Sequence, residues 1–236
     1  MKDRITFLLL TILIFSASNA FAQKKVSADV EVKQVAKGKV TTITKSVYCA
    51  NNGRLVVHFH KPEDYFVLTN SKGETRIYMP KTNEVFTDKS NALSSKDELL
   101  SIFMSGRVDD LALGLYGYRL QSSSNEEGKL KKLFVSSDPA APKVEVVFEN
   151  FLPIYMAYLD ASGHITSKTY FSKYTTTERF TFPTRSTSIN YVAKDSTITR
   201  TIYSNIQVDK DAPEFNFEIP SGAKAVAIPT KLERSS

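Results

Sequence analysis

Three histidines, one cysteine and a pair of adjacent aspartates are the side chains here whose types and spacing could do chemistry. His58 and His60 stand two positions apart in the run Leu55-Val56-Val57-His58-Phe59-His60. On an extended strand that spacing puts both imidazoles on one face, opposite Leu55, Val57 and Phe59. Two imidazoles can begin a metal site, but a zinc site takes three or four protein ligands. The third histidine, His164, lies far along the chain in a turn-forming stretch, so the pair reads as surface histidines. Cys49 has no partner for an internal disulfide and follows a strand-like run, which fits a small buried thiol. Asp109 and Asp110 could act as acid and base only if their carboxylates converged, and neighbouring helical positions point apart. At a helix start the macrodipole favours such a pair without any catalysis. A Gly-x-Ser-x-Gly elbow, a phosphate loop, a dinucleotide fingerprint and Cys/His zinc spacing are all missing. The sequence reads as a non-enzyme with neither a metal nor a cofactor site.

Aromatic and aliphatic surface is what the chain has in quantity, with 15 Phe, 11 Tyr and 4 Met among 236 residues. Residues 1–22 read as a secretory leader. Lys2 and Arg4 form its basic start, Ile5 to Phe15 its apolar core, and Ala20-Phe21-Ala22 a small-x-small site that predicts cleavage after Ala22. That apolar run is shorter than the ~20 residues a spanning helix needs. No cysteine follows the site, so no lipid anchor is expected. The expectation is an exported, soluble, periplasmic protein whose residues 23–236 form a single domain. The excess of 31 Lys and Arg over 25 Asp and Glu is spread along the chain. That describes a solvated surface better than a nucleic-acid footprint.

The elements that must position these residues are mostly strands. Around Gly38, the Val- and Thr-rich runs VSADVEVKQVAK and VTTITKSVY predict two strands. Asn51-Asn52-Gly53 predicts a hairpin turn. From Gly53 to Phe86, four short apolar runs separated by Pro62, Gly73 and Pro80 predict an antiparallel meander. Ser95-x-x-Glu98 has the form of a capping box. A helix is expected after it, with Leu99, Leu100, Ile102, Phe103 and Met104 as its apolar face. A second, shorter helical piece should follow, with Leu111 and Leu115 four apart. Strands then run to the end, with a hairpin about Asp160–Gly163, a break at Pro183 and a hairpin near Ala193–Ser196.

The central meander resembles the periplasmic lipoprotein-carrier family (LolA-like). Lys61-Pro62, Tyr65-Phe66, Gly73 and Tyr78-x-Pro80 occur in that family's order, and Phe215, Phe217, Pro220 and Gly222 match its last strand. The family opens with an amphipathic helix, where this chain has strand chemistry. The resemblance implies a mainly β (α+β) fold: a strongly curved antiparallel sheet forming an incomplete barrel, with a short helical lid over an apolar cavity. From the strands, Leu55, Val57, Phe59, Phe66, Leu68, Phe148 and Met156 are the expected lipid-binding lining. From the helical region, Leu99, Leu100, Phe103, Met104 and Leu111 are expected to join them. In the family a basic residue just before the proline holds the lid shut by hydrogen bonds, which places a latch at Lys61. The usual residue there is Arg, and a lysine is a flexible point charge rather than a planar fork, so the latch would be looser.

The resemblance implies a monomeric soluble carrier that takes acyl chains of lipoproteins or lipids toward the outer membrane. Envelope membrane proteins would load and unload it. Each buried CH₂ contributes about 0.8 kcal/mol, so a sixteen-carbon chain is held in a membrane by roughly 12 kcal/mol, and a carrier must offer a comparable lining. The other reading is a non-transporting envelope sensor or interaction module of the same fold. An open apolar cavity favours the first and one filled by Phe and Tyr the second.

Overall fold

A computed structural model describes residues 25–88, 95, 98–192 and 195–227. The leader assigned to residues 1–22 lies outside the described residues. Alternating, β-branched runs become strands: β1 (Lys25–Ala36), β2 (Lys39–Ala50), β3 (Leu55–Lys61), β4 (Tyr65–Thr69), β5 (Thr75–Met79) and β6 (Glu84–Asp88). A short helix, α1 (Leu99–Met104), and a 3-10 turn at Leu113–Tyr116 follow. Then come β7 (Tyr118–Glu126), β8 (Lys129–Ser136), β9 (Lys143–Glu149), β10 (Leu152–Leu159), β11 (Ile165–Thr176), β12 (Thr181–Val192) and β13 (Asp195–Val208). A 3-10 turn at Pro213–Asn216 and β14 (Lys224–Val226) complete the described chain.

All of these strands form one curved sheet in the order β14-β6-β5-β4-β3-β2-β1-β13-β12-β11-β10-β9-β8-β7. It is two antiparallel meanders, β1–β6 and β7–β13, joined where β1 pairs with β13. Only β14 is parallel to its neighbour, β6. The end strands β14 and β7 do not meet, so the barrel is incomplete. β6 and β7 lie near opposite edges, and the segment joining them therefore crosses the sheet. Its described part, α1 and the first 3-10 turn, packs on the inner face against Val26, Val30, Val47, Cys49, Val144, Val146 and Phe182.

Strand alternation decides which side chains reach that interior. Gly53, after the Asn51-Asn52 turn, has φ +82°, and a Cβ there would stand 2.9 Å from that of Ser71. This tight turn starts β3 with Leu55 and Val57 inward, in the core, and His58 outward, stacked on Phe66. The outer face of β2–β5 is covered by the C-terminal segment. Phe215 packs edge-on against Tyr48 at 5.4 Å and Phe217 stacks on Phe66 at 4.0 Å. Arg54 donates a guanidinium hydrogen bond to the Phe217 carbonyl.

Four expectations need correction. The helix begins at Leu99, with Glu98 at its N-cap and no side-chain cap bond, so Ser95 and Glu98 do not form a capping box. Glu98 has stronger partners across the interior, described below. The second helical piece is a single 3-10 turn, because Leu111 and Ala112 take φ values of +48° and +62°. Asp110 supports that turn by accepting from the amides of Ala112 and Gly114 at 2.9 and 3.0 Å. Pro183 does not break a strand. It sits inside β12 opposite Tyr174, beside Lys173 with φ +58° and a gap in the pairing register, a position that tolerates a missing amide. The tail at Phe215 and Phe217 is a 3-10 turn and extended chain, not a strand, because its rings are spent covering the outer face.

Candidate functional site

A cleft of about 430 Å³ lies between the crossing segment and the second meander. Leu99 and Ile102 of α1, with Leu111 and Leu113 beyond it, form one wall. Met156 and Tyr158 of β10, Phe171 of β11 and Tyr203 of β13 form the other. Glu98, Thr169 and Ser186 supply the few polar groups. Sites for small apolar ligands have this composition and fall at ~300–1,000 Å³.

Next to the cleft the interior is filled. Phe103 and Phe182 are fully buried, meeting edge to face at 5.3 Å, and Tyr203 meets Phe182 the same way at 4.9 Å. Such pairs contribute about 0.5–1.5 kcal/mol beyond their buried area. The aromatic plug closes the space under the middle of α1.

The start of α1 is tied to the sheet through Glu98. The Tyr203 hydroxyl donates to Glu98 Oε1 at 3.0 Å, and the Lys45 ammonium stands 3.7 Å from Oε2. Lys45 also lies 5.6 Å from the centre of the Phe59 ring. Burial, reinforced by the Glu98 charge, holds the Tyr203 hydroxyl well above the usual phenol range. One turn on, Ser101 Oγ donates to Cys49 Sγ at 3.3 Å. Cys49 is fully buried, and that burial pushes its thiol up, so it is a packing group rather than a nucleophile.

The residues expected to line a common cavity are divided by the structure. Leu99, Leu111 and Met156 line the cleft. Leu55, Val57, Leu100 and Phe103 lie in the core cluster, and Phe59 packs against it. Met104 faces a separate depression of about 390 Å³ with Ala50 and Leu115, and Phe148 one of about 550 Å³ with Leu130 and Phe151. Phe66 and Leu68 are on the other side of the sheet. Phe66 pairs with His58 and stacks at 4.0 Å on its ring, and the period of two takes Leu68 with it. Lys61 pairs with Thr44 at the end of β3, and its exposed side chain makes no hydrogen bond or ion pair with the described residues. The polar ties to the start of α1, at Glu98, come instead from Lys45 and Tyr203. Sequence reading missed both, along with Ile102 as a cleft residue, Leu113 and Phe171. Tyr203 carried one signal, as an aromatic next to a run of threonines at alternate positions.

His58 and His60 share the outer face with ring centres 4.2 Å apart. His58 bonds Asp64 at 2.7 Å and His60 bonds Ser46 at 2.9 Å, while the Ser46 hydroxyl donates to Asp29 at 2.8 Å. With its hydroxyl proton directed to Asp29, Ser46 receives the N–H of His60. Both histidines are thus held in a hydrogen-bonded surface network. Among the described residues no group of three or more His, Cys, Asp or Glu could hold a metal ion.

No protein-family model and no curated protein matches the chain by sequence. Solved structures do match its fold. It is similar to a LolA superfamily protein from Nitrosomonas europaea, at 14% identity and TM-score 0.58, covering 89% of this chain and 96% of that one. It is similar to a DUF1329 family protein from Desulfovibrio piger, at 15% identity and TM-score 0.57, covering 89% and 94%. A putative outer membrane lipoprotein-sorting protein domain from Vibrio parahaemolyticus matches at 11% identity and TM-score 0.56, covering 87% and 94%. The chain has the LolA-like fold.

Proposed function

We propose that the protein is an exported, periplasmic carrier that shelters an acyl chain in the cleft between α1 and β10–β13. The cleft itself is the observation that supports this reading. Leu99, Ile102, Leu111, Leu113, Met156 and Phe171 give methylenes and a ring for an alkyl chain to lie against. The unbranched Met156 adapts to irregular chains. The Glu98 tie and the buried Leu100 and Phe103 hold α1 in place, and its half-buried Leu99 and Ile102 face the cleft. The reading requires no catalytic group. A structural neighbour described as a lipoprotein-sorting domain points to lipoproteins or lipids as cargo and to envelope membrane proteins as loading partners.

A second reading rests on a different observation. The plug of Phe103, Phe182 and Tyr203 occupies the space under α1 without any ligand, as a non-transporting envelope module requires. Native mass spectrometry of protein purified from its host separates the two. A carrier retains acyl-bearing lipid, and Met156→Asp, on a half-buried cleft wall, lowers its occupancy at least about tenfold by placing a charge against the chain. The thermal midpoint should move little. Wild-type protein that holds no lipid leaves the module as the answer.

A further inference from the structure

The four central strands β2, β1, β13 and β12 carry a ladder of aliphatic side chains that points away from the interior. Val40 faces Val35, Val35 faces Ile198, and Ile198 faces Ile189, which in turn faces Lys168. Directly paired residues of antiparallel strands share a face. On β1 the inner face holds Val26, Val30 and Val32, so Val35 and its whole row are on the outer one. The adjacent inner row is polar: Thr41 faces Gln34, Gln34 faces Thr199, and Thr199 faces Ser188. This end of the sheet is therefore patterned in reverse, hydroxyls and amides inward, aliphatics outward.

The outward row is open to solvent, with Val40 67%, Val35 39% and Ile198 40% exposed. The C-terminal segment that covers the outer face of β2–β5 packs on Tyr48 and Phe66, at the other end of β2. Two exposed tyrosines flank the ladder, and the Lys168 ammonium stands 5.8 Å from the Tyr170 ring and 5.6 Å from that of Tyr191. Lys33 and Arg200 pair side by side in the next outer row, and Lys37 and Lys39 flank the β1–β2 turn. Lys39 pairs with Ala36 in the inner phase of Gln34 and Thr41, which leaves Lys33, Lys37, Lys168 and Arg200 as the cations beside the outer row, against Glu31, which pairs with Lys33 at 2.9 Å.

We propose that this stripe docks on an anionic lipid surface. Val40, Val35 and Ile198 enter the headgroup region, Tyr170 and Tyr191 lie at its boundary, and Lys37, Lys168 and Arg200 meet lipid phosphates. Apolar contact combined with attraction of basic residues to anionic lipid is the physics of interfacial binding, and tyrosine suits the polar–apolar boundary. A flat ladder of short branched side chains offers no pocket for the anchor residue of a protein partner. A second copy of the chain would bring the same four cations together across a twofold contact, and that repulsion disfavours self-association.

The test is co-sedimentation of the full protein, as purified from its host, with phosphatidylcholine vesicles that contain or lack phosphatidylglycerol. Binding should require phosphatidylglycerol and weaken as salt is raised. Lys168→Ser with Arg200→Ser should weaken it about tenfold or more. Val40→Ser with Ile198→Thr should also weaken it, with an unchanged thermal midpoint because both residues are exposed. All variants keep the wild-type N-terminus, so a loss reports on this stripe alone. Wild-type protein that ignores the anionic vesicles overturns the proposal, as do variants that bind like wild type. So does light scattering that finds a dimer abolished by Val40→Ser.

Discussion

The two meanders of the sheet are covered differently. The first meander has the crossing segment on its inner face and the C-terminal segment on the outer face of β2–β5, around Tyr48 and Phe66. Leu55, Val56 and Val57 are consequently buried in succession, which a strand with one solvated face cannot do. Among the described residues β7–β13 is covered on its inner face only, and outer side chains such as Tyr170, Tyr191 and Arg200 meet solvent. The cleft lies on this second side, while the sealed aromatic plug stands where the two meanders join. A sheet held from both sides is a frame. A sheet covered from one side is where the cleft beside α1 stays open.

The sharpest way to break this contrast is Phe182→Ala. That ring is fully buried between Phe103 and Tyr203 and belongs to the frame. Its loss should cost about 3–5 kcal/mol and lower the thermal midpoint by roughly 6–20 °C. A fall of less than about 2 °C would mean that the centre is already loose. Phe217→Ala tests the outer cover of the first meander. It removes a half-buried ring stacked on Phe66 and should cost about 2 kcal/mol, from lost stacking and partial burial. The proton resonances of the His58 ring, the next member of that stack, should shift with it.

The smallest effect is on alkaline stability. Burial keeps Cys49, Tyr174 and Tyr203 protonated in the fold above their ordinary ranges. Their contribution is therefore complete below pH ~8.5. It is lost progressively as pH rises past ~8.5 and then ~10, where the unfolded chain releases protons that the folded one retains. Urea midpoints taken from neutral pH to pH ~10.5 should fall, and Tyr203→Phe should flatten the curve. At neutral pH the same substitution should cost about 1 kcal/mol through the lost bond to Glu98.

The strands and turns of the first meander were legible because each is specified locally, by Asn-Gly, by proline and by alternation. What escaped was whatever depends on a partner distant in sequence. Glu98 has the form of a capping residue until Tyr203 and Lys45 are beside it. Phe66 looks like lining until Phe217 covers it. In β13 the aliphatic positions Ile198 and Ile202 look like a core face, yet pairing with β1 turns them outward and gives the interior Thr199, Thr201 and Tyr203. In β4 the alternation was correct and its phase was not, because pairing with Val56 and His58 turns Phe66 and Leu68 outward. The cleft was foreseeable as a place between helix and sheet, but half of its lining belongs to strands that declare no function.

The pairing of β1 with β13 also sets a hazard in time. Val26 meets Val208 across nearly the whole chain, so a polypeptide emerging N-terminus first completes β2 to β12 while one side of β1 has no neighbour. At ~5–20 residues per second that interval is on the order of ten seconds or more. An unpaired strand edge is a template for another chain. β1 meets that interval with Asp29, Glu31 and Lys33 at alternate positions, charges that oppose stacking against a like strand until β13 arrives.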